Sequence, residues 1–337
     1  MKKIYIKDRK RQKQEYQFFR HQFVEACIRN GIESRPDFIP TYRFFIRSAC
    51  RRLLFTMSKI AHKYAPFLLQ RNGKNAIIIS ATGNTMVDSA FPYYFGYEIV
   101  PFIWDVWPIY WDELYDNLRL FDCKTVFVTV KSFKEKLEND LGIRVFYIPE
   151  GIDTSIYHSG VNLENRDGDV IEIGRQYAKY HAVILSCLKN GMIKNVNSSN
   201  IDAKGNLVDK QLQFPTHEEL CNALPKYKIM ICFPQCDTNP QKAGNLETLT
   251  QRYWEAMLSG CLIIGRAPQE LIDLIGYDPV IGVDWNNPEK QLEEIVNNIG
   301  RFQNLVNRNL ESARKYSSWD VRMPIIKKCL KEAGYIL

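Results

Sequence analysis

Two carboxylates, Glu247 and Glu255, stand eight positions apart in the stretch 244–265, GNLETLTQRYWEAMLSGCLIIG. Leu249, Tyr253, Ala256 and Met257 recur there at the spacing of one helical face. Thr248 with Gln251 three residues on predicts a capping-box start, and Gly260 predicts the stop. Both carboxylates then belong to one helix, Glu247 at its mouth and Glu255 two turns in. Eight residues of helix span roughly 12 Å. That separation suits a ligand with hydroxyls at both ends, which carboxylates accept. Phosphates between them would face the free amides of the helix start.

The elements that must position these groups follow from hydropathy. CLII between two glycines predicts a short strand buried on both faces, as in a parallel sheet. Upstream, DVIEIG predicts a strand ending at Gly174 and Arg175, with Lys179 in the following helix. FPTHEELCNALPKYKIMICFP predicts a helix and a strand ahead of Glu247. The loop CDTNPQKAGN then brings Asn239, Lys242 and Asn245 within reach of a ligand bound there. Arg252, inside the Glu247–Glu255 interval, either contacts phosphate or pairs with a helix neighbour. Residues 288–310 predict one long polar helix, and SSWDVRMPIIKKCLKEAG a terminal one.

The front half alternates likewise. Residues 1–7 predict a strand, and 15–29 a helix with Phe18, Phe19, Phe23 and Ala26 on one side. From Asn75, the runs AIIIS, YEIVPFIW, CKTVFVTV and IRVFYIP predict strands, with SFKEKLENDLG a helix closed by Gly142. Strand–helix alternation predicts parallel sheets. Asp105 falls at a strand end, where open α/β sheets place ligands. It either meets a ligand or caps a turn. Around it Trp104, Trp107, Tyr110 and Trp111 either stack on a ligand or pack.

Glu, seven residues, Glu, then Ala-Met-x-x-Gly and an apolar strand resembles the donor-site signature of GT-B glycosyltransferases of the group-1 type. Gly174-Arg175 with Lys179 resembles that family's pyrophosphate-holding element, although Tyr180 stands where the family has glycine. The turn IPEGID resembles the close of its N-terminal domain. The resemblance covers most of residues 77–334 and is strongest over 229–265. DRKRQKQ replaces the family's first glycine-rich turn, and the first 74 residues match poorly.

What the resemblance implies is an α/β, GT-B fold: two facing Rossmann-like domains with parallel sheets, plus a basic helical N-terminal region. Residues 1–152 would form the acceptor-side domain, 153–317 the nucleotide-sugar donor domain, and 318–337 a terminal helix crossing back. By the same resemblance Glu255 binds the ribose, and Arg175 and Lys179 bind the pyrophosphate. Glu247 holds the sugar hydroxyls as a catalytic group, with Asp105 a second catalytic candidate. Gly174, Asn245, Arg252 and the amides of Leu249 and Thr250 complete the donor site. The implied reaction moves a hexosyl group, with retention, from a nucleotide-diphosphate sugar to a glycan or lipid-linked acceptor. No metal or cofactor is expected, because fixed cations would stabilise the leaving diphosphate. A GT-B-fold nucleotide-sugar epimerase and a binding protein with a degenerate donor site are the rival readings.

Composition bounds these expectations. A chain of 337 residues, 45% hydrophobic, suggests two domains. No run approaches the roughly 18 to 20 apolar residues of a membrane span, and the start lacks the apolar core of a secretory signal. Nine scattered cysteines read as reduced thiols of a cytoplasmic protein rather than a disulfide framework. HEEL lacks the second histidine of a zinc site. Residues 1–74 hold 18 Lys+Arg against 5 Asp+Glu, a net +13, so the remainder sums to −6. With Arg43, Arg47, Arg51 and Arg52 at helical spacing among Phe and Leu, this region suits an anionic membrane surface or a solvated face over a core contact. No nucleic-acid motif accompanies the charge.

Overall fold

The computed structural model describes residues 1–8, 18–36, 53, 56, 57, 60, 64, 75–90, 93–199 and 213–337. The four arginines at 43, 47, 51 and 52, and all of DRKRQKQ except its first residue, lie outside the described residues. The chain divides into two compact units, one of residues 1–12, 19–149 and 322–337, the other of 13–18 and 150–321.

In the first unit, β1 (Lys2–Lys7), β2 (Ser34–Arg35), β3 (Ala76–Thr82), β4 (Glu98–Trp104), β5 (Thr125–Val128) and β6 (Arg144–Tyr147) pair in parallel. Every residue of β3 and β4 is buried, which is why both read as near-continuous apolar runs. The helix Phe18–Arg29 lays Phe23 on the sheet, its ring 4.2 Å from Phe102, and Phe102 stacks on Phe127 at 5.9 Å. Gly142 ends the helix Lys131–Leu141 in the left-handed conformation at φ +61°.

The second unit holds β7 (Gly168–Ile171), β8 (Val196–Asn197), β9 (Tyr227–Cys232), β10 (Leu262–Gly265) and β11 (Val280–Gly282), all parallel, in the order β11-β10-β9-β7-β8. Successive residues feed opposite cores. Val170, Ile229, Leu262 and Ile264 pack with Ile184 and Leu292, whereas Ile171, Met230 and Ile263 pack with Tyr253 and Met257. Helices therefore cover both faces, and the strands need no polar side.

The long helix expected over 288–310 is instead two helices, Pro288–Asn297 and Gln303–Tyr316, separated by a 3₁₀ turn at Ile299–Phe302. The break brings Gly300 against Glu164, where an added Cβ would lie 1.9 Å from the carboxylate oxygen. Ile299 and Val306 reach the core from either side of it. The last helix, Trp319–Glu332, passes into the first unit at Arg322. It delivers β12 (Tyr335–Ile336) to the edge of β1, with Lys2 opposite Tyr335.

Candidate functional site

In the second sheet β7 is followed by β8 on one side and β9 on the other, so the strand order reverses between β7 and β9. Crevices outside the carboxyl ends of strands at such a point are where open α/β sheets bind ligands. Here the crevice is lined by Arg175, Gln176, Tyr177, Phe233, Thr238 and Arg252, with Glu172 at its floor. Gly174 takes φ +61°, and a Cβ there would lie 3.5 Å from Arg252 Nη2. The turn thereby aims Arg175 back across the strand ends. Arg175 Nε donates to Thr238 Oγ1 at 2.9 Å, and its carbonyl accepts Arg252 Nη1 at 3.1 Å. Arg175 and Arg252 thus both line the crevice, and arginine side chains suit a polyphosphate.

The helix behind them starts later than its capping pattern suggests. It spans Gln251–Leu258, with Thr250 as an extended N-cap that makes no side-chain cap bond. Thr248 is buried, and its hydroxyl donates to the Leu249 carbonyl at 3.4 Å. Gln251 closes no capping box, because its Nε2 donates to Gly151 O at 2.6 Å. Glu247 therefore lies in the preceding loop, and the helical 12 Å rise does not separate it from Glu255. The driving cause is Leu249, fully buried in the core, which pulls the loop inward.

Glu255 sits one turn beyond Arg252, partly buried, and accepts from Tyr157 Oη at 3.3 Å. The same phenol lies 2.9 Å from His217 Nε2. Burial raises the Glu255 pKa above its usual 4.5, with Arg252 and the Tyr157 hydrogen bond pulling the other way. A carboxylate with a raised folded pKa binds its proton more tightly folded than unfolded. Its penalty is absent below pH 4.5 and grows as pH climbs towards the folded pKa. Glu255→Gln should therefore raise the unfolding free energy at pH 7 and leave it little changed at pH 4. The same variant should weaken nucleotide binding by about 1.5–3 kcal/mol. Urea unfolding at both pH values and calorimetric titration check the two halves. A variant that loses stability at pH 7 contradicts the argument.

Glu247 belongs to an ionic cluster that local sequence reading missed. Its Oε1 accepts from Arg266 Nη1 and its Oε2 from the Gln269 amide at 3.1 Å. Arg266 also forks onto Asp237, at 2.7 Å through Nε and 2.9 Å through Nη2. These contacts hold the guanidinium charged, with its pKa raised chiefly by the Asp237 hydrogen bonds, and they hold Glu247 in one orientation. Leu249 N–H donates to Glu270 at 3.2 Å, so that amide already has a carboxylate on it. Thr250 accepts from Tyr253 N–H at 3.3 Å, and Asn245 is exposed. Asn239 caps a short helix, accepting from Lys242 N–H at 3.2 Å.

Lys179 is not among the crevice residues. It is exposed, and its ammonium lies 4.0 Å over the ring of Trp285, which packs edge-on to Tyr177 at 5.9 Å. A second unheralded pair, Glu172 and His181, is buried at 2.5 Å beside the crevice floor. A charged residue inside the apolar run VIEI, and an arginine directly after CLIIG, were the available signals for Glu172 and Arg266.

Asp105 belongs to the first unit, after β4, with φ +52°. Its carbonyl accepts Trp107 N–H at 2.8 Å and faces Gly83, where a Cβ would come within 3.2 Å. Strained non-glycine backbone of this kind collects at functional sites. The aromatic loop around it mostly packs. Trp104 and Trp107 are buried, Trp104 Nε1 donates to Ser80 Oγ at 2.9 Å, and Trp111 stacks on Phe133 at 5.2 Å.

No family model matches the chain, and no curated protein matches its sequence. Solved structures do. Sucrose-phosphate synthase of Thermosynechococcus elongatus aligns over 99% of this chain and 100% of its own at TM-score 0.57 and 11% identity. HepE of Anabaena, solved with UDP-glucose, aligns over 98% and 100% at TM-score 0.55 and 12% identity. AviGT4, a glycosyltransferase of avilamycin A biosynthesis, aligns over 99% of each chain at TM-score 0.56 and 10% identity. Two parallel Rossmann-like sheets, matched end to end by these proteins, give the chain the GT-B fold of glycosyltransferases.

Proposed function

We propose that this protein is a retaining hexosyltransferase that moves a sugar from a nucleotide-diphosphate sugar to a glycan or lipid-linked acceptor in cell-surface polysaccharide synthesis. The observation that carries the reading is the joint placement of Arg175 and Arg252 at the strand-order switch between β7 and β9, with Glu255 one turn behind. HepE, a protein of the same fold, was solved with UDP-glucose, which supports a nucleotide-sugar donor here. In this reading Glu255 accepts the ribose hydroxyls, and Arg175 with Arg252 neutralises the pyrophosphate. Glu247, oriented by Arg266, accepts the sugar hydroxyls. Charge that builds on the departing diphosphate is met by guanidinium groups already in place, with no metal required. Asp105 serves on the acceptor side as second catalytic candidate. The excess charge of residues 1–74 supports a cytoplasmic enzyme held peripherally on the inner face of a membrane, near a lipid-linked acceptor.

The test is a panel of nucleotide sugars, first by thermal shift and then by nucleoside-diphosphate release with and without acceptor extract. One donor should stabilise the fold in proportion to its occupancy. Release should depend on acceptor and survive a chelator. Sugar isomerisation without acceptor would make the protein an epimerase, and failure to bind any nucleotide sugar would leave a degenerate site. Activity lost to chelator and restored by manganese would overturn the metal-independent mechanism.

A further inference from the structure

Arg266 is placed by backbone before it is placed by charge. Its N–H donates to Cys232 O at 3.0 Å, and its carbonyl accepts from Tyr253 Oη at 2.6 Å. The end of β9 and the helix Gln251–Leu258 therefore fix the point from which the side chain leaves. The guanidinium then forks onto both oxygens of Asp237, through Nε at 2.7 Å and Nη2 at 2.9 Å, a pairing of two rigid planes. With those two nitrogens engaged, Nη1 is presented to Glu247 Oε1. The other oxygen of Glu247, Oε2, accepts the Gln269 amide at 3.1 Å.

Stability does not explain this arrangement. The side chains of Asp237, Glu247 and Arg266 are 26%, 30% and 41% exposed, and ion pairs this open to water add little. What the arrangement supplies is direction. A carboxylate group offers about four lone-pair sites. On Glu247 the Arg266 and Gln269 hydrogen bonds engage both oxygens, so the acceptor sites left for a ligand have fixed directions. Thr238 follows Asp237 on the same short helix, Gln235–Thr238, and accepts from Arg175 Nε at 2.9 Å. One turn of chain thus ties the cation set for the diphosphate to the carboxylate set for the sugar.

We infer that Asp237 and Arg266 set the selectivity of the donor site among sugar epimers, an assignment that rests on the donor-site reading above. They are positioning residues, which touch no ligand and act through Glu247. A carboxylate free to turn accepts hydroxyls from several directions and tells ring epimers apart poorly. One clamped at both oxygens accepts only hydroxyls that arrive along the open directions. An epimer with one of those hydroxyls inverted leaves an acceptor unmet and is rejected. Only the sugar half of the donor is read in this way, so binding of the bare nucleotide is not involved.

The test sets UDP, GDP and ADP against the same nucleotides carrying glucose, galactose or mannose, by calorimetric titration and steady-state kinetics on the full chain. Wild type should favour one epimer over the next by at least about tenfold in kcat/KM. Arg266→Met should bring that ratio to about threefold or less and lower kcat for the favoured sugar about tenfold, with the bare nucleotide bound within about twofold of wild type. Asp237→Asn should move the ratio the same way by less, because its amide keeps one of the two acceptors. Arg266→Lys should recover part of the lost kcat, since it restores the charge without the fork. Added to Glu247→Gln, Arg266→Met should change nothing further, because residues that act as one unit are not additive. Should Arg266→Met fail to fold, Arg266→Lys and Asp237→Asn carry the same readout. An unchanged epimer ratio in these variants overturns the inference, as does full additivity with Glu247→Gln. Equal losses for bare nucleotide and nucleotide sugar overturn it too, and leave the donor site standing. Wild type that binds nucleotides and prefers no epimer does the same. Wild type that binds no nucleotide overturns both.

Discussion

Arg175→Ala should lower kcat/KM for the nucleotide-sugar donor by about 10²- to 10³-fold, the loss typical of removing one preorganised electrostatic group from a transition state. Lys179→Ala should cost less than about threefold. Arg175 is built into the crevice by Thr238, by the left-handed turn at Gly174 and by the Arg252 bond to its carbonyl, so its charge is in place before a ligand arrives. Lys179 is exposed and its ammonium is held over Trp285 at 4.0 Å. To reach a phosphate it must give up that contact, worth about 0.5–1 kcal/mol at an exposed site. Steady-state kinetics on both variants, with nucleotide titration alongside, measures the contrast. Equal losses would show that Lys179 leaves Trp285 when donor binds, and would make the two cations partners.

Gly265→Ala should destabilise the protein by at least about 3 kcal/mol, well beyond an ordinary surface substitution. Gly265 closes β10 at φ +143° directly opposite Cys232 of β9, and an added Cβ would lie 1.9 Å from the Cys232 carbonyl oxygen. The obstacle is backbone, so no side chain can swing aside. The two strands must part or the end of β10 must shift, and Arg266 is the next residue. Gly276→Ala provides the contrast, since Gly276 has φ +82° and nothing within 4 Å. It should cost only the left-handed penalty of about 1–2 kcal/mol. Urea unfolding compares the two. If Gly265→Ala costs no more than Gly276→Ala, the close approach of β9 and β10 is softer than described.

Buried parallel strands announce themselves. AIIIS, YEIVPFIW, MIC and CLII are legible because both sheet faces are covered, so the runs need no polar alternation. The place of Arg175 at the crevice was legible for a related reason, since a cation a few residues past a buried strand stands at the edge where open α/β sheets bind ligands. The helix Gln251–Leu258 was legible in its face and not in its start. The capping pattern at Thr248 is a local rule, and it lost to the burial of Leu249 and the bond from Gln251 to Gly151.

By itself the sequence determined the class of the fold, two runs of alternating strands and helices, and the ends of the strands where chemistry can sit. Those follow from short-range periodicity, which each segment carries alone. Only the tertiary structure decided the company the charged groups keep. Asp237, Glu247 and Arg266 meet because β9 and β10 lie side by side. Lys179 and Trp285 meet across more than a hundred residues of chain. Trp104 and Trp107 turn inward because the sheet offers a core to fill. A long side chain has many partners within reach of its charge, and the choice among them is made by strand order and register, which no local pattern encodes.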